Sequence, residues 1–125
     1  FKSLDELNQP GVKVIKNPGG TNEAFVLEHL TQADVQTHEK NAEIPGLIAQ
    51  GKGDVMITET YEALHYAAED DRLTTANIQP PLTPINELGF LLPTDDADYL
   101  RVMHYAWDLL SLRGVMQDAD QQWVR

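Results

Sequence analysis

Apolar residues occur along the chain in short groups separated by polar or glycine-proline breaks, and the period changes from group to group. Leu4 and Leu7 belong to Ser3-Leu4-Asp5-Glu6-Leu7, which has the spacing of a capping box. They predict a short helix that the turn residues Asn8-Gln9-Pro10-Gly11 stop. Val12-Lys13-Val14-Ile15 is β-branched and short, so it reads as a strand, broken by Asn17-Pro18-Gly19-Gly20. Phe25, Val26, Leu27 and Leu30 fit helical spacing behind a cap at Thr21 or Asn22. Asp34 to His38 predicts a weak second strand. Asn41 to Gln50 predicts a short helix on Ile44, Leu47 and Ile48, with Pro45 in its first turn and Gly51 and Gly53 beyond its end. Asp54-Val55-Met56-Ile57-Thr58 reads as the clearest strand, its unbroken apolar centre implying burial on both faces. Helix follows over Thr60 to Glu69, then a short strand over Leu73 to Ala76.

Gln79-Pro80-Pro81-Leu82-Thr83-Pro84 is a proline-rich connector and the best internal boundary. After it, Leu88 to Leu92 predicts a strand stopped by Pro93. Asp95 or Asp96 caps a helix running to Leu112, with Leu100, Met103, Trp107 and Leu110 on one stripe. Gly114 ends that helix, and Asp118 to Val124 predicts a last one carrying Trp123. Strands alternating with helices at short spacing imply an α/β fold, a three-layer sandwich around a mostly parallel sheet.

The chain has 125 residues, which suits one domain or one lobe of something larger. Nine basic and 20 acidic residues give a net charge of −11, which repels phosphate and argues against nucleic acid and anionic membrane surfaces. A local site for a small anion remains compatible with that field. Without cysteine there are no disulfides, thiolate metal sites or thiol nucleophile. The apolar runs are too short to span a bilayer. No leader pattern is present, and the chain opens on Phe1. We expect a trimmed leader, a tag or a missing upstream segment to account for this.

Two segments can carry chemistry. Asn17-Pro18-Gly19-Gly20-Thr21-Asn22-Glu23 lies between a strand and a helix. Its glycines free backbone N–H groups, and Thr21 and Asn22 add donors, a set suited to a carboxylate or phosphate. An ordinary capped turn fits the same residues, and neither a P-loop nor a dinucleotide fingerprint is present. The second segment places Thr58, Glu59 and Glu62 at the end of the Asp54–Thr58 strand, where ligands of open α/β sheets bind. Glu59 and Glu62 share a face at i, i+3. One could hold an amine or hydroxyl and the other act as a general acid, although spacing alone favours plain dipole-stabilising residues. His29, His38, His65 and His104 show no metal-ligand spacing, so no metal is expected. No GxSxG elbow occurs. Tyr99, Trp107 and Trp123 read as core or interface anchors, and Glu69-Asp70-Asp71 as a solvated helix end.

Several stretches together resemble the periplasmic solute-binding proteins of the amino-acid type, and more closely their enzymatic branch, the cyclohexadienyl (prephenate/arogenate) dehydratases. They are Leu7 to Val14, Asn17 to Glu23, Asn41 with Ile44, Gly51 to Thr58, Glu62-Ala63, Leu91-Leu92-Pro93 and Gly114 to Trp123. The resemblance implies one lobe of a two-lobe, ligand-closing fold of the periplasmic-binding-protein-like type II. Gly19, Gly20, Thr21 and Asn22 would grip a ligand carboxylate. Asn41 would sit near the ligand or hinge, with Thr58 and Glu59 lining the site, and Glu62 would be the general acid. Glu59 stands where most of that family has Asp. No cofactor is implied.

Residues 1–85 would form the second lobe, and 86–125 the segment that normally completes the first, here packed on its own lobe or exchanged with a partner chain. The expected function is a small carboxylate- or amino-acid-binding lobe, not catalytic alone. The alternatives are a prephenate/arogenate dehydratase active as an oligomer or within a longer chain, and a self-associating module with no ligand. A homodimer or higher oligomer is expected, without nucleic acid or membrane insertion. The expected location is periplasmic or secreted, or cytoplasmic without a signal peptide.

Overall fold

A computed structural model describes residues 1–76, 81–83 and 89–123. Two compact units are present, Phe1–Thr83 and Pro84–Arg125.

The first unit is built around a strand of four residues, β1 (Lys13–Lys16). Helix α1 (Leu4–Leu7) precedes it, with Ser3 Oγ accepting from Glu6 N at 3.2 Å. The return bond of the expected capping box goes one residue further back, from Lys2 N to Glu6 Oε2 at 2.8 Å. Helix α2 (Gly20–His29) crosses over from β1 to β2 (Asp34–Thr37), as parallel pairing requires. The register pairs Lys13 with Asp34, Val14 with Val35, Ile15 with Gln36 and Lys16 with Thr37. A 3-10 turn (Asn41–Glu43), α3 (Ile44–Ala49, Pro45 in its first turn) and α4 (Thr60–Glu69) complete the unit.

Alternation along β1 divides its side chains between two faces. Val14 joins Leu7, Val26 and Leu30 in a fully buried cluster, edged by Leu4, Val12, Ala33, Val35, Val55 and Ile57. Each such buried side chain contributes about 1.5–3 kcal/mol of transfer free energy. Ile15 faces the other way and lies so close to Gly53 that a Cβ there would stand 2.5 Å from Ile15 Cδ1. Asn8 Oδ1 accepts from Gln32 N at 2.7 Å and ties the end of α1 to the turn after α2.

Several expectations are corrected. Neither Thr21 nor Asn22 caps α2. Gly19 occupies the cap position and no side chain caps it. Val26 in α2 and its C-cap Leu30 are buried, but Leu27 is 59% exposed. Asp54–Thr58 is not a strand. Only Val55 bridges to Val14, and Val55 to Thr58 are half-buried. The reason lies in β1. Lys13 and Ile15 bond this segment, through Asp54 N to Lys13 O at 2.8 Å and Ile15 N to Val55 O at 2.9 Å. The next residue able to do so is Asn17, where the chain has already turned out into the Pro18-Gly19-Gly20 loop. Leu73–Ala76 is also not a strand. Asp70 turns the chain by accepting from Arg72 N at 3.0 Å, and the residues after it find no ladder partner among the described residues.

In the second unit, Asp96 caps α5 (Ala97–Leu112), accepting from Tyr99 N at 2.8 Å. Gly114, at φ +77°, links α5 to α6 (Val115–Trp123), which begins three residues before the expected Asp118. No strand forms over residues 89–92, and Leu91 is fully exposed. Apolar character alone does not make a strand where nothing pairs with its backbone. No described residue of this unit is buried, so the expected core role of Tyr99 and Trp107 is not met within it. Phe90 and Trp107 meet edge to face at 5.8 Å. Leu88, Val124, and Gln79, Pro80 and Pro84 of the connector lie outside the described residues.

The Ile15–Gly53 contact sets a first prediction. Gly53→Ala should destabilise the chain by about 1–3 kcal/mol through overpacking. Gly46→Ala, in α3 with open space around the new methyl, should be neutral or stabilising by up to about 1 kcal/mol. Urea unfolding of the two variants beside the parent checks the contrast.

Candidate functional site

Parallel pairing sends β1, β2 and the Val55 segment in one direction, so the chain leaves all three at one edge of the sheet. The segments that follow are 17–22 after β1, 38–41 after β2 and 58–62 before and into α4. That edge is the place where open α/β sheets bind ligands.

The loop after β1 is held from within. Gly19 and Gly20 have φ of +82° and +79°, a region that costs other residues roughly 1–2 kcal/mol. Glu23, one turn into α2, reaches back and accepts from Gly19 N at 2.7 Å through Oε2. Its Oε1 accepts from Lys16 Nζ, and the same ammonium donates to Thr37 Oγ1 at 3.0 Å. Lys16 is only 8% exposed, so its charge requires these partners. The Lys16 bond, and after it the Gly19 amide, holds the Glu23 carboxyl below its ordinary range. The side chains of Thr21 and Asn22 make no hydrogen bond among the described residues.

The second cluster centres on Glu62. Its Oε1 accepts from Asn41 Nδ2 and from Tyr66 Oη, each at 2.9 Å, and its Oε2 accepts from Thr58 Oγ1. Three neutral donors thus converge on one carboxyl group. Tyr66 lies one helical turn beyond Glu62. Burial, reinforced by the bond to Glu62, pushes its phenol up to about 12. Tyr66 also forms a wall of a hollow of about 280 Å3 lined by Ala42, Pro45, Gly46, Glu69, Asp70 and Leu73.

The structure therefore gathers Asn41, Thr58 and Glu62 into one group, and Gly19, Gly20, Thr21 and Asn22 into another. Asn41 and Thr58, expected against a ligand, direct their donors to Glu62. Glu59 stands apart. It is exposed, and its backbone is extended at φ −68°, ψ 150°, ahead of the first turn of α4, so it does not share a helical face with Glu62. His65 faces Glu69 at 3.5 Å rather than Glu62. Among the described residues, no group of three or more His, Asp or Glu is placed to hold a metal ion. Sequence reasoning missed Lys16, Glu23, Thr37 and Tyr66. The i, i+4 spacing of Glu62 and Tyr66 was a readable signal, whereas the fold alone brings Lys16 to Thr37.

Tyr66 gives a pH prediction. Its folded-state value lies above the ordinary 10, so the stability it contributes is full below pH 10 and is lost as pH rises toward about 12. In an ultraviolet titration, one of the four tyrosines should ionise last. Glu62→Gln should lower that midpoint without restoring 10, because burial is the larger cause. Four tyrosines titrating together in the parent would contradict this arrangement.

No protein-family model matches the chain. The cyclohexadienyl dehydratase of Pseudomonas aeruginosa is 32% identical over 124 residues, 99% of this chain and 46% of that protein. The crystal structure of an ancestral cyclohexadienyl dehydratase matches 99% of this chain and 51% of its own at 39% identity and a TM-score of 0.64. That of an ancestral amino-acid-binding protein, a precursor of cyclohexadienyl dehydratase, matches all of this chain and 52% of its own at 26% identity and a TM-score of 0.77. The chain spans about half the length of each. Over its whole length the chain is therefore similar to about half of cyclohexadienyl dehydratase and of an amino-acid-binding protein with the same α/β architecture.

Proposed function

We propose that the first unit binds a small carboxylate or amino-acid-like ligand at the edge formed by residues 17–22, 38–41 and 58–62. The observation that carries this reading is the loop after β1. Thr21 and Asn22 offer side chains that the described fold does not use, beside Gly20, whose amide opens α2. Backbone N–H groups at a helix start favour a carboxylate, and neutral side-chain donors can complete its hydrogen bonds. The amino-acid-binding relative supports the ligand class. Resemblance to solute-binding proteins supports a periplasmic or secreted location. The test is calorimetry with the twenty L-amino acids, phenylpyruvate and prephenate. Heat for at least one carboxylate is expected, with affinity lowered about tenfold or more in Gly20→Val, whose left-handed backbone a β-branched residue resists. Absence of heat throughout would remove the reading.

The Glu62 cluster favours a second reading, a prephenate or arogenate dehydratase formed when this unit is completed by a second lobe. In it, a protonated Glu62 would donate its proton to the leaving hydroxyl. The C–O bond breaks to give water and the C–carboxylate bond breaks to give CO2, whose bonding pair enters the new aromatic ring. Thr58 and Tyr66 are hydroxyls able to turn from donor to acceptor as Glu62 gains a proton. Phenylpyruvate release from prephenate, abolished in Glu62→Gln, is the required result.

Self-association is favoured by the second unit. Phe90, Leu91, Tyr105 and Leu112 are 68%, 100%, 70% and 87% exposed, more apolar surface than a separate helical pair leaves open without a partner. Sedimentation should show a dimer or larger species, and a monomer at high concentration would oppose it.

A further inference from the structure

A charged pair that no expectation for the site included brackets the Gly19–Gly20 turn. Lys16 is the last residue of β1 and is buried. Glu23 lies in α2, and the segment they bracket, Asn17 to Asn22, is the loop itself. The two oxygens of Glu23 are divided between the two ends of the loop. One accepts from the Lys16 ammonium at the end of the strand, and the other accepts from Gly19 N inside the turn at 2.7 Å. Thr37 Oγ1, at the end of β2, takes another Lys16 proton at 3.0 Å and anchors the ammonium to the sheet.

We propose that Lys16 and Glu23 are positioning residues forming a strap that holds the Gly19–Gly20 turn in its left-handed conformation and so keeps the amides and side chains of residues 20–22 turned outward. The part concerning a ligand rests on the reading of this loop as a carboxylate grip; the strap itself does not. Three features carry the proposal. Gly19 and Gly20 are exposed, with open space where a side chain would stand, so no neighbouring side chain clamps the turn on that side. No side chain caps α2 in the usual way, so Glu23 supplies the one side-chain acceptor for the turn's amides among the described residues. And a buried ammonium fixes that acceptor, since releasing Glu23 would leave Lys16 charged and underpartnered. The strap also neutralises Lys16, which leaves recognition to neutral donors.

The test uses the full chain, with amide exchange followed by NMR and phenylpyruvate as the calorimetric probe. Glutamine at position 23 has one acceptor oxygen where two donors converge. In Glu23→Gln the Gly19 amide should therefore exchange about tenfold faster or more, the fold-change expected for losing one charge-assisted hydrogen bond. The β1 amides of Val14 and Ile15 should keep their parent rates. Lys16→Met should act in the same direction, because Glu23 then loses its anchor. Phenylpyruvate affinity should fall in both variants. Unchanged Gly19 exchange in Glu23→Gln would overturn the strap. So would acceleration of Val14 and Ile15 in step with Gly19, which would mean the fold had simply loosened. A parent chain that gives no heat with phenylpyruvate, but whose variants exchange faster at Gly19 alone, would overturn the expected effect on phenylpyruvate binding and uphold the strap.

Discussion

The four residues of β1 hold the first unit together, and each has a separate task. Lys13 and Ile15 bond the Val55 segment, while Val14 and Lys16 pair with β2, so one short strand is bonded on both sides. Side-chain alternation then sends Val14 into the Leu7–Val26–Leu30 cluster and Ile15 against Gly53. Because the period of a strand is two, a slip of one residue would exchange these faces and place Ile15 where Val14 packs. Gly53 makes room for the present arrangement, since Ile15 fills the space that a Cβ at 53 would occupy. The same register delivers Lys16 to Thr37 at the edge of the proposed site, so the core and the loop share one alignment.

Local signals in the sequence were strong enough to place α1, β1, α4 and the capped start of α5, because Ser3, the β-branched run at 12–15 and Asp96 act within a few residues of themselves. Periodicity failed where pairing, and not local preference, decides. Val55-Met56-Ile57 has every strand signal, but its neighbour β1 ends after Lys16 and leaves it one bridge. The cap of α2 was misread for a related reason. Thr21 and Asn22 are good caps by type, yet two left-handed glycines start the helix earlier, and the acidic residue in its first turn takes over the amide. The loop at 17–23 and the group at 58–62 already stand apart as two segments in the sequence, while the hydrogen bonds from Asn41 and Tyr66 to Glu62 depend on the fold and the helix. Lys16 stayed hidden because a lysine in a four-residue strand reads as solvent-facing until both neighbours are known.

The two clusters divide the chemistry by charge. Around the loop, the one buried cation is matched by Glu23, so the local charge is close to balanced. Around Glu62, three neutral donors surround a carboxyl group and no cation approaches it among the described residues. A ligand carboxylate would therefore find the loop side neutral and donor-rich, and the Glu62 side negative. On the proposed reading, that polarity would turn a ligand's carboxylate toward residues 20–22 and a hydroxyl or amine toward Glu62.

The net charge of −11 then acquires a more definite meaning. Long-range attraction cannot bring an anion to this surface, and the nearest buried cation is already neutralised. Recognition of an anion must come from dipoles held in place, which act only at hydrogen-bond range and lose their value if the turn relaxes. An acidic chain that binds an anion through backbone amides depends on the rigidity of the loop presenting them. In this fold that rigidity is supplied by a lysine at the end of the central strand and a glutamate one turn into the next helix.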